Sequence, residues 1–154
     1  MWPFSNPDDS FRAAVRKEFG PIARECDVSF KQIEPLIYGF VTEYAVLTVG
    51  AYPGHFRGIC VKLRRRLSGE KVSVNDGADI GVRNIEEFVS GRYSHIYSKR
   101  QRWVENEIRE EIAGLALAVR QFAMPFLITP NGDWTGLRAF IDAKIEMDAR
   151  GRRT

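Results

Sequence analysis

Three apolar stretches joined by connections too short for parallel crossovers constrain this chain more than any other feature. Leu36–Thr42 and Tyr44–Val49 are rich in β-branched and aromatic residues, with only Glu43 between them. Tyr52-Pro53-Gly54-His55 then reads as a turn, since proline presets one turn position and glycine accepts positive φ. Arg57–Arg64 follows with strict alternation: Ile59, Val61 and Leu63 on one face, Cys60, Lys62 and Arg64 on the other. Parallel strands need crossovers of a dozen residues or more, so these segments form an antiparallel meander. Ser68-Gly69 and Asn75-Asp76-Gly77 are further turn signals, around a short expected strand at Val72–Val74.

The flanks read as helices. Asn6 suits an N-cap, Pro7 the first helical position, and Asp8 and Asp9 complement the positive end of the helix dipole. Phe11, Val15 and Phe19 recur at helical spacing, and Gly20-Pro21 is expected to stop the helix with Ile22 just beyond it. Asn84–Val89 reads as a short helix ended near Gly91. A longer one is expected from Lys99 to Met124, with Val104, Ile108, Ile112, Leu115, Val119 and Phe122 as its apolar stripe and Glu105 paired with Arg109. Pro125 should stop or kink it. After the Asn131-Gly132-Asp133 turn, a last helix carries Leu137, Phe140, Ile141 and Ile145 inward, and residues 150–154 are expected to fray. The pattern is α+β: an antiparallel β meander with an N-terminal helix and C-terminal helices packed on one face. No repeat or linker interrupts it, so residues 1–154 read as a single domain.

Composition narrows the class. A length of 154 residues suffices for a core without staples, and 44% hydrophobic with 28% charged residues is ordinary for a globular chain. Cys26 and Cys60 make neither a disulfide framework nor a zinc ribbon. The first residues lack the basic start and apolar run of a secretory signal. Ile112–Ile128, the most apolar stretch, is broken by Arg120, Gln121 and Pro125, so no membrane span is expected and the cytoplasm is the expected compartment.

Chemistry-bearing motifs are sparse. Cys60 and His55 would lie roughly 17 Å apart on opposite faces of one strand, too far for a nucleophile–base dyad. His95 carries no local signature that would pair it with Cys60. Two histidines without His-x-x-x-His spacing predict no metal site, and no cofactor motif is present. Glu107 and Glu111 lie one turn apart, but charges beside an apolar stripe read as a solvated face. Asp79 is expected to act structurally, as a cap or by pairing with Arg83 or Arg92.

Two basic clusters stand out instead. Lys62-Leu63-Arg64-Arg65-Arg66 leaves the end of a strand. The segment from Arg92 to Trp103 interleaves Arg92, Lys99, Arg100 and Arg102 with Tyr93 and Tyr97. Guanidinium groups fork onto carboxylates or phosphates, and tyrosine faces stack or fill pockets. Arg64, Arg65, Arg66, Arg92, Tyr93, Tyr97, Lys99, Arg100 and Arg102 are therefore the expected partner-binding residues, with no catalytic residue among them. The net charge is only +3, with 23 cations against 20 anions, so the basic character is local.

The Phe11/Val15/Phe19 helix, the Ile37-to-Leu63 meander, the Asp79-Ile80-Gly81 segment and the Trp103-led helix together give a layout. That layout resembles the small α+β immunity-type domains of bacterial polymorphic toxin systems, over most of the chain and without a diagnostic motif. The resemblance implies a non-enzymatic domain that binds and neutralises another protein. It also implies a target other than a strongly cationic nuclease, since inhibitors of those are commonly acidic. A nucleic-acid-binding module using the same cations is the alternative. An enzyme assembled from Asp79, His55, His95 and Cys60 is a third reading.

Overall fold

The computed structural model describes residues 6–51, 58–67, 69–92 and 103–153. Helix α1 (Pro7–Glu25) opens as its sequence dictates, with the Asn6 side chain accepting the Asp8 N–H at 2.9 Å. It does not stop at Gly20-Pro21. Phe19, Ile22 and Ala23 are all buried, and that burial outweighs the hydrogen bond forfeited at Pro21. The helix ends four residues later in a Schellman turn: Asp27 adopts φ 59°, its N–H reaches the Arg24 carbonyl, and Val28 N–H reaches that of Ala23.

Five strands follow in the spatial order of the sequence, each antiparallel to its neighbour. They are β1 (Lys31–Glu34), β2 (Ile37–Val41), β3 (Ala45–Ala51), β4 (Ile59–Arg65) and β5 (Ile80–Gly81). β1 is short, charged and irregular in register, which blunts that edge of the sheet. Register places Phe40, Leu47, Leu63 and Ile80 in one cross-strand row, and Tyr38, Val49 and Val61 in the next. These rows make the floor of the core, and α1, α3 and α5 supply its other walls.

The remaining helices are α2 (Val82–Ser90), α3 (Glu105–Ala118), α4 (Met124–Ile128) and α5 (Trp134–Arg153). Gly91 closes α2 at φ 77°, where a side chain would be strained. A π turn over Val119–Ala123 joins α3 to α4, so the helical path runs unbroken from Glu105 to Ile128. Pro125 sits in the first turn of α4, where a missing N–H is tolerated, and so neither stops the path nor breaks it. This path is long and apolar enough to cross a membrane by length and composition, yet half of its most apolar 18 residues are buried inside the domain. It starts later than Lys99 among the described residues, and Val104 at its N-cap is exposed. Ile108, Ile112, Leu115 and Val119 are buried as the stripe requires, and Glu105 holds Arg109 at 2.9 Å. α5 is helical through Arg153, where fraying is expected from residue 150, and Ile145 on it is 61% exposed.

Residues 66–79 are the least expected element. The segment expected as a Val72–Val74 strand is instead a strap closed by a 3₁₀ turn over Val74–Asp76. Ser73 and Asp76 cap that turn reciprocally: Asn75 N–H donates to Ser73 Oγ, and Ser73 N–H to Asp76 Oδ2. The turn lies against β1, β2 and β3. Val74 and Val46 are both buried there, and neither belongs to the main core, so the strap covers the sheet face opposite the helices.

Candidate functional site

The strap determines what the first basic cluster does. Glu70 binds three residues of the β4 exit: its Oε2 accepts from Arg64 at 3.4 Å, its carbonyl from Arg66 Nε at 3.0 Å, and its Oε1 from Leu67 N–H at 3.1 Å. Arg66 also donates to the Thr42 carbonyl at 3.0 Å, tying the strap to the β2–β3 turn. Arg64 and Arg66 are thus engaged inside the fold. Arg65 is exposed, and among the described residues its side chain has no hydrogen-bonded partner.

Arg64 and Arg65 open into a cleft of about 850 Å³ between the strap and the first half of α5. Asp133 precedes α5 and accepts the Gly136 N–H at 2.9 Å, which fixes the helix start. Trp134 is held edge-on against Phe126, with ring centroids 5.0 Å apart. From there α5 presents Thr135, Arg138, Ala139 and Asp142 to the cleft, while Leu67, Glu70, Asp76, Asp79 and Ile80 line the other sides. Charges of both signs line it, together with the apolar Leu67, Ile80, Trp134 and Ala139. Asp79 pairs with Arg138 at 2.8 Å, across 59 residues of chain, and not with Arg83 or Arg92. Leu67 stands at the rim, 55% exposed.

The second cluster is described only at its ends. Tyr93, Tyr97, Lys99, Arg100 and Arg102 lie outside the described residues, as do His55 and His95. Arg92 is exposed just beyond α2. Trp103 is a packing residue: its indole N–H donates to Asp8 at 2.9 Å, and its ring meets Phe11 at 5.7 Å.

Of the candidate reactive groups, Cys60 and Asp79 lie among the described residues, and the cleft does not gather them. Cys60 is half-buried on β4, four strand residues and roughly 13 Å before Arg64, and does not line the cleft that holds Asp79. Burial, reinforced by Glu25, raises the Cys26 thiol above its usual value, which keeps it protonated at neutral pH. Among the described residues no group of three or more His, Cys, Asp or Glu side chains could hold a metal ion.

Glu111 departs from its expected solvated face. It is only 7% exposed, and its Oε2 has no hydrogen-bonding partner. Burial, with a further contribution from Glu107 one turn earlier, pushes its carboxyl up to about 7.

Trp134, Arg138 and Asp142 form one wall of the cleft, and no local pattern in the sequence marks them. The Asn131-Gly132-Asp133 turn predicts a helix start there, but only tertiary folding sets that helix opposite the β4 exit. No protein-family model, curated protein or solved structure matches the chain.

Proposed function

We propose that this protein is a non-enzymatic protein-binding domain that engages its partner through the cleft between the strap and α5. The presence of both signs within that cleft is the observation that carries the reading. Arg64, Arg65 and Arg138 share the walls with Glu70, Asp76, Asp79 and Asp142. A phosphate backbone would meet those carboxylates at close range, whereas a protein surface brings charges of both signs and apolar contact for Leu67. The α+β layout is consistent with an inhibitor of the immunity type, which acts by occupying its partner and needs no reactive group of its own. The weak net positive charge, with cations locally balanced, favours a target other than a strongly cationic nuclease.

The test is quantitative capture from a lysate of the source cells by the immobilised full chain. Arg65→Glu is compared with Lys17→Glu, a charge reversal on the exposed face of α1. A protein captured by the parent chain and by Lys17→Glu, but depleted with Arg65→Glu, supports the reading. Equal capture by all three chains counts against it. Bound material that nuclease removes, and that falls steeply with salt, favours a nucleic-acid partner instead.

A further inference from the structure

Within the cleft, most charges are already spoken for. Arg64 is bonded to Glu70, Arg138 to Asp79, and Asp76 to the backbone of Ser73. Arg65 and Asp142 are the exception: both are exposed, and among the described residues neither side chain has a hydrogen-bonded partner. One is a cation and the other an anion. Ile80, Ala139 and the exposed Leu67 line the same cleft and offer apolar contact.

We infer that the cleft takes a protein segment bearing both an acidic and a basic side chain, which it seats on Arg65 and Asp142. This rests on the protein-binding reading and names the chemistry that the partner presents. A segment of single sign satisfies only one of the two free groups and faces the other as a like charge. A dipolar segment satisfies both, and its apolar residues meet those of the cleft.

The probes are short capped peptides with Glu and Lys three, four or five residues apart around Ala and Val, all-Glu and all-Lys peptides of equal length, and an oligothymidylate. Each is titrated into the ¹⁵N-labelled full chain. The expected result is that a mixed-charge peptide shifts the amides of Ala78, Ile80, Ala139 and Asp142, and binds about three-fold tighter than either single-sign peptide. Arg65→Glu and Asp142→Lys should each remove that preference. Both positions are exposed, and the amide spectrum itself reports that the fold is retained. Equal affinity for all peptides, shifts centred elsewhere, tighter oligothymidylate binding at the cleft, or no shift with any probe would each overturn the inference. If capture in the lysate still depends on Arg65 while these spectra stay silent, the inference falls and the binding function stands.

Discussion

Replacing Glu111 by Gln should remove the pH dependence that this one carboxyl gives to the stability of the fold. The group titrates near 4.5 when unfolded and at about 7 in place. A native state that holds its proton more tightly than the unfolded chain is stabilised by acid. The contribution is fully present below pH 4.5 and is lost as the pH rises through 7. At about 1.4 kcal/mol per pH unit, ionising Glu111 in place costs on the order of 3 kcal/mol by pH 8.5. Gln cannot ionise. Its amide brings its own burial cost, but that offset is the same at every pH. The quantity to measure is therefore the difference in unfolding free energy between the two chains, from urea titrations followed by circular dichroism at pH 5 and 8.5. That difference should move in favour of Glu111→Gln by about 2.5 kcal/mol between the two values, since a little is already lost at pH 5, or roughly 5–10 °C in midpoint temperature. All other carboxylates are common to both chains. A difference that stays constant across this range would refute the claim that Glu111 is buried without a partner.

Three further perturbations test the packing. A Cβ at Gly39 would lie 2.6 Å from the Leu47 carbonyl oxygen on the neighbouring strand, so Gly39→Ala should cost about 2 kcal/mol or more in urea unfolding. Arg66→Ala removes bonds to two backbone carbonyls and should cost about 1–3 kcal/mol, whereas Arg65→Ala should stay within about 0.5 kcal/mol; equal losses would contradict the division of labour between them. Trp103→Phe keeps a ring beside Phe11 but loses the bond to Asp8, and should lower stability by about 1 kcal/mol in the same assay.

What the sequence made legible was local. The Asn6-Pro7-Asp8 start, the Gly91 stop and the alternation of Ile59, Val61 and Leu63 each depend on neighbours a few residues away, and each appears where the pattern puts it. The antiparallel order followed from connection lengths, which are also local. What escaped depends on distant partners. Pro21 looks like a stop until Ile22 and Ala23 are seen buried, and Val72–Val74 looks like a strand until the Ser73–Asp76 cap closes a turn over the sheet. Asp79 finds Arg138 on a helix 59 residues away, where proximity in sequence suggests Arg83 or Arg92. β1 was missed because Lys31-Gln32-Ile33-Glu34 is polar, as suits an exposed edge, and carries no core-facing alternation. The basic cluster at the end of β4 was visible as a cluster. Only the positions of Glu70 and Thr42 divide it into two arginines that hold the strap and one that faces outward.

Amide hydrogen exchange on the chain, free and in complex with whatever protein it captures, addresses the binding face directly. The account predicts added protection over the β4 exit at residues 64–67, the strap at 76–80 and the first half of α5 at 134–142, with the β1 edge unchanged. Protection confined to other surfaces, with those three segments exchanging as in the free chain, would contradict it.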